Sequence, residues 1–214
     1  MAGYWYKYPN YSYRYRLTVK IEVDGKIHSG SSVIEVTWHG GPEIGDVGRY
    51  TPTLKGQAAL VDLGDKGVIV AALVNGEGYG RPAQVFGPWG TLWLVPRAFG
   101  LGTSVDELKD WSPPLDKRRL EADNMPLLLW FPDPKDPTSG QTIAPSEISR
   151  SLGPSARLVG AFVEITRDPI ALDIGEKLPW VAKLSRKFPQ PSQIYLPTSS
   201  RSPEICLLEP HRDE

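Results

Sequence analysis

Cysteine is nearly absent from this chain: Cys206 is the only one in 214 residues. That excludes an intramolecular disulfide framework and any cysteine-rich zinc site. Histidine is scarce as well, being confined to His28, His39 and His211. A catalytic zinc takes three protein ligands, and neither His-x-His nor His-x-x-x-His spacing occurs. Long hydrophobic runs are missing too. The longest, Val68–Val74, is far below the roughly 18 residues of a membrane helix. The opening residues lack the charged-then-apolar layout of a signal peptide. Neither sign of charge dominates, with 24 Lys and Arg against 25 Asp and Glu. A general polyanion binder is thereby disfavoured, although a local basic patch is not.

Glycine and proline are plentiful, at 21 each, so the chain is punctuated too often for long helices. The 40% hydrophobic content suffices to bury the core of one domain. From Tyr13 to Val23, Tyr13, Tyr15, Leu17, Val19, Ile21 and Val23 share one parity; Arg14, Arg16, Thr18, Lys20 and Glu22 share the other. Such alternation predicts a half-buried strand. The Asp24-Gly25 pair that follows predicts a two-residue hairpin turn into a partner strand over Lys26–Trp38. Counting back from Val23 opposite Lys26 puts Tyr15 against Ile34, Tyr13 against Val36 and Arg14 against Glu35. The same register turns Gly30 and Ser32 inward, a place for another element to pack closely.

A second hairpin is expected from Gln57–Leu63 and Val68–Val74 across Gly64–Gly67. Its second arm is apolar on both parities, hence a central strand covered on both sides. His39–Lys55 and Asn75–Pro82 read as loops, with short extended pieces at Gln84–Phe86 and Thr91–Val95. Ser104–Glu107 has capping-box spacing for a helix to about Trp111. Ala144–Gly153 has proline near its start and glycine past its end, as helices do. Leu127–Phe131 and Arg157–Ile165 read as buried strands, and Asp173–Leu178 as one helical turn. The fold expected is mainly β (α+β): an antiparallel sheet, sandwich or small barrel with two or three short helices. Three regions follow: an aromatic lead over 1–10, a single domain over 11–180 and a Pro-rich arm or tail over 181–214.

The block Tyr13–Val36, YRYRLTVKIEVDGKIHSGSSVIEV, resembles the opening of an uncharacterised family of mainly proteobacterial proteins. The similarity continues in Asp133–Pro137, from Ile143 to Ile165, and in Leu178-Pro179-Trp180. The resemblance implies an envelope setting, since relatives often carry this block after a hydrophobic segment suited to export or anchoring. It implies no activity.

Candidate chemistry is thin. Tyr4, Trp5, Tyr6, Lys7 and Tyr8 form an aromatic and basic lead, with no acidic residue before Glu22. Aromatics among cations suit a membrane interface or a nucleic-acid platform. Packing of the tyrosines on the sheet's buried face is the plainer reading. These five residues are the candidate ligand or partner contacts, with a membrane surface or a protein as partner and nucleic acid disfavoured. His28 and His39 read as structural, and no Gly-x-Ser-x-Gly elbow is present. Gly76–Gly80 lacks the helix start that a phosphate loop needs. Asp133–Pro137 reads as a stiff turn rather than a calcium loop, and Lys117–Arg119 as a solvated face. No catalytic residue, metal ligand or cofactor is assigned. The function expected is a non-enzymatic binding or assembly module. The alternative is a hydrolase or transferase with residues scattered over loops.

Overall fold

The computed structural model describes residues 8–43, 49–75, 89–112, 114–121, 124–170 and 172–181. Strands β1 (Tyr11–Val23) and β2 (Lys26–Gly40) form the long hairpin. Asp24 and Gly25 both take positive φ, 51° and 78°, the conformation of a type I′ turn whose twist matches the flanking strands. The register is the one the alternation implies: Val23 faces Lys26, Tyr15 faces Ile34, Tyr13 faces Val36 and Arg14 faces Glu35.

β3 (Tyr50–Lys55) pairs with the end of β2. β9 (Arg157–Ile165) pairs with the other side of β1, and the three-residue β6 (Lys117–Arg119) closes that edge. The resulting antiparallel order is β3-β2-β1-β9-β6. A second sheet holds β4 (Ala59–Asp62), β5 (Val68–Asn75), β7 (Pro126–Phe131) and β8 (Gln141–Thr142) in that order. The protein is mainly β. Its described strands make two packed sheets, so the sandwich holds and the closed-barrel option does not. Short helices join them: α1 (Trp89–Leu92), α2 (Leu94–Ala98), α3 (Ile148–Leu152) and α4 (Ile174–Lys177).

The core lies between the sheets. Tyr15, Val19, Ile21 and Ile34 of the first sheet and Val61, Ile69, Leu127 and Leu129 of the second are all fully buried in one cluster. β5 is central and covered on both faces, with Val68 through Leu73 buried without a break. Gly30 of β2 lies directly on the backbone of β4. A Cβ there would overlap the Leu60 carbonyl and stand 2.9 Å from the Val61 nitrogen. The inward glycine thus sets the closest approach of the layers.

Three expectations need correction. Tyr50–Lys55 is a strand, not the end of a loop: Pro52 sits opposite Trp38 on an edge, where a missing N–H costs no ladder bond. Thr91–Val95 is helical rather than extended; a short apolar run looks alike in either state when it is buried. Its Leu92, Trp93, Leu94 and Val95 plug one end of the core, where Trp93 packs on Trp38 at a ring separation of 4.7 Å. The 104–111 helix shortens to a 3-10 turn over Val105–Leu108. Ser104 caps the Asp106 N–H, but Glu107 accepts from Gly102 N–H at 2.7 Å instead of closing the box. The pieces at Gln84–Phe86 and Gly76–Gly80, and the chain from 182 onward, lie outside the described residues.

Candidate anion-binding face

The outer face of the five-stranded sheet is set by the polar parity of β1. Arg14, Arg16, Lys20 and Glu22 project there, joined by Glu35 from β2, Phe162 and Glu164 from β9, and Lys117 and Arg119 from β6. Most of its charges are paired. Arg14 Nη2 lies 2.6 Å from Glu35 Oε2. Arg16 pairs with both Glu164, at 3.4 Å, and Asp168. Glu22 pairs with Arg157. Thr166 and Asp168 carry the chain back across this face, since Thr166 N–H donates to the Arg14 carbonyl and the Asp168 carbonyl accepts from Arg14 Nη1. Hydrogen bonds from Thr166 and then Arg16 hold the Asp168 carboxyl below its usual range.

Four cations on this face have no ion pair among the described residues: Lys55 of β3, opposite Glu35, and three that surround one ring. Lys20 Nζ lies 5.9 Å, Lys117 Nζ 5.3 Å and Arg119 Cζ 5.9 Å from the Phe162 centroid. No carboxylate lies within 4 Å of any of the three among the described residues. Glu164, the β9 neighbour opposite Lys117, is already engaged by Arg16.

The backbone explains why the ring is there. Gly160 faces Lys20 and Phe162 faces Thr18 in the regular part of the β1–β9 ladder, which slips by one residue just beyond, between Lys20 and Ile21. A Cβ on Gly160 would stand 3.1 Å from Phe162 Cζ and 3.3 Å from Arg119 Cζ. The ring therefore lies along the strand over a position with no side chain of its own, and its remaining surface faces out between the cations. Each cation gains about 0.5–1 kcal/mol from the ring at such an exposed site. The three also repel one another, and their summed field favours a negative group. Arg118, on the opposite parity, stacks over Phe99 at 5.3 Å and pairs with Asp116 at 3.2 Å. The Lys117–Arg119 cluster is thus a solvated face, as expected, but it is also an edge strand aimed at an aromatic.

Other candidates have structural partners. His28 Nδ1–H donates to the Asp62 carbonyl at 2.8 Å, which fixes its tautomer. His39 Nε2 pairs with Thr53 Oγ1 at 3.0 Å, not with Glu43. Asp133 accepts from Lys135 N–H and Asp136 from Thr138 N–H, so this segment is a pair of side-chain-braced turns. No three His, Cys, Asp or Glu side chains converge as a metal site would among the described residues. A cleft of about 280 Å³ opens beside Asp65, Lys66, Trp130 and Ser151. Its ammonium is already bound to the Leu152 carbonyl at 2.6 Å and to Asp24 at 3.3 Å.

Of the aromatic lead, Tyr4, Trp5, Tyr6 and Lys7 lie outside the described residues, while Tyr8 is half-buried. The Tyr8-Pro9 backbone rests on Gly40, whose N–H donates to Asn10 Oδ1 at 3.1 Å. Tyr11, next along, packs on Tyr50 at 5.8 Å. That end of β1 stands seven residues from Thr18, roughly 23 Å from the cationic ring at strand rise.

The three cations and the ring come from β1, β6 and β9 and have no sequence motif in common. No helix among the described residues is long and apolar enough to cross a membrane. No protein-family model, curated protein or solved structure matches the chain.

Proposed function

We propose that this chain is a non-enzymatic binding or assembly module that takes an anionic partner on the outer face of its five-stranded sheet. The observation that carries the reading is the half-buried Phe162 ring on the outer sheet face amid Lys20, Lys117 and Arg119. A catalyst needs ionisable groups held together where water is excluded. This face instead offers cations and one ring spread over three strands, which suits a broad, shallow contact. The likeness of the opening block to an uncharacterised proteobacterial family supports an envelope setting for that contact.

Retention of the full chain on a sulfated polysaccharide matrix tests the reading. Lys20→Gln/Lys117→Gln/Arg119→Gln should elute at markedly lower salt than the wild type. Lys26→Gln/Lys135→Gln/Arg150→Gln removes the same charge from exposed positions elsewhere and should shift elution much less. Equal shifts from the two triple variants would mean that net charge alone governs retention, and the face would lose its role.

A further inference from the structure

We infer that the anionic partner is a lipid bilayer surface, met by the outer face of the five-stranded sheet; this rests on the binding reading above and specifies its ligand. Charge complementarity is the first ground. Phosphate-rich headgroups supply many anions in a plane, and Lys20, Lys117 and Arg119, without an ion pair among the described residues, present their charges from the strands on either side of β9. The second ground is where exposed apolar side chains lie. Leu115, at 80% exposed, and Ile27, at 57%, are two of the three exposed large apolar side chains among the described residues, Leu172 at 50% being the third. Leu115 and Ile27 border this face. Ile27 sits opposite Glu22 on the outer parity, near the hairpin turn. Leu115 stands two residues before Lys117, on the chain entering β6 from the Arg14 end of the sheet.

The two apolar groups therefore bracket the cations, at ends of the face separated by roughly eight residues of strand, about 26 Å. Aromatic and aliphatic groups at the acyl boundary with lysine and arginine at the phosphates is the layout of a peripheral membrane contact. A single-stranded nucleic acid would use the cations equally well. It would also call for further rings to stack successive bases, and among the described residues Phe162 is the only ring that these three cations surround. Exposed leucine and isoleucine would gain little from such a ligand.

Co-sedimentation of the full chain with vesicles separates these cases. Binding should appear with phosphatidylcholine vesicles that carry phosphatidylglycerol, be absent with phosphatidylcholine alone, and weaken as salt shortens the Debye length. The Lys20→Gln/Lys117→Gln/Arg119→Gln variant should bind about a hundredfold more weakly, given the usual gain per basic residue near such a surface. Leu115→Ser should weaken binding about fivefold, with retention on the polysaccharide matrix unchanged. If the matrix distinguishes the triple variant but vesicles are not bound, the lipid assignment falls and the binding reading survives. If neither distinguishes it, both fall. Tight binding of a labelled oligothymidylate without vesicle binding would transfer the face to nucleic acid. Loss of vesicle binding on Trp5→Ala, with the triple variant unaffected, would transfer the contact to the aromatic lead and overturn the inference.

Discussion

Replacing Gly30 by alanine adds one methyl group where two layers touch. In most strands that change is mild, because glycine is a poor strand residue and alanine restricts the unfolded chain. Here the new Cβ would overlap the Leu60 carbonyl and crowd the Val61 nitrogen. Both atoms belong to β4, whose ladder to β5 runs Ala59–Ala71 through Asp62–Val68. A side chain could swing aside; a backbone locked in that ladder cannot. Relief requires β2 and β4 to separate, which loosens the contact around Val61 and Ile34, both fully buried. Overpacking of a good core costs about 1–3 kcal/mol when side chains can adjust, so about 3 kcal/mol is the figure expected at this rigid contact.

For a chain of this size, each kcal/mol lowers the melting temperature by roughly 2–4 °C. Gly30→Ala should therefore melt about 6–12 °C below the wild type in a calorimetric or circular-dichroism scan. Gly41 supplies the control: a methyl group added there would meet no heavy atom within 4 Å, and its φ is not positive, so Gly41→Ala should melt with the wild type. A Gly30→Ala melting point within about 2 °C of the wild type would refute the close approach of β2 and β4.

Two further perturbations test the interior and the acid limb. Tyr13 Oη donates to the Leu92 carbonyl at 2.6 Å, whereas the Tyr15 hydroxyl is buried with no partner among the described residues; burial raises both phenol pKa values. Tyr13→Phe should destabilise by about 1 kcal/mol or more and Tyr15→Phe should be neutral or stabilising, and urea melts showing the reverse order would contradict the bond assignment. A Lys177 hydrogen bond, followed by the Gly64 N–H, holds the Asp62 carboxyl below its usual range. Its folded pKa lies below the unfolded one, so its contribution is complete above about pH 4 and is lost as pH falls through the lower folded value. Lys177→Met should raise the Asp62 pKa seen by NMR titration, and an unmoved titration would show that the pair is not formed.

Much of the first sheet was legible because two local signals agree there. Strict alternation over Tyr13–Val23 fixes which side chains face in. Asp24-Gly25 fixes the register, and a slip of one residue would bury Arg14 and Arg16. Agreement between levels is what makes a sequence specify one pairing. Elsewhere the signals were single or absent. Pro52 and the glycines before it disguised β3, since proline argues against any strand except an edge. The run from Thr91 to Val95 carried hydrophobicity without a period. β6 carried neither: all three of its side chains are exposed, so pairing to β9 by backbone alone left no trace in the apolar pattern.

The candidate face was hidden for a different reason. Lys20, Lys117, Arg119 and Phe162 are brought together by β9 lying between β1 and β6, a non-local arrangement that no spacing encodes. Lys117–Arg119 with Asp116 and Glu121 beside it reads as ordinary solvated charge, and Phe162 reads as one more apolar residue in a buried strand. One signal was available. Glu164 shares parity with Phe162, and a charged residue two positions along a strand marks the face that water reaches. Once β9 is placed beside β1, that parity turns Phe162 outward and sets it across from Thr18, next to Lys20. The conspicuous composition of the N-terminal lead drew attention to aromatics among cations at one end of the sheet. The same pairing of residue types recurs on the sheet itself, assembled from three strands, at a site where the backbone holds each group in place.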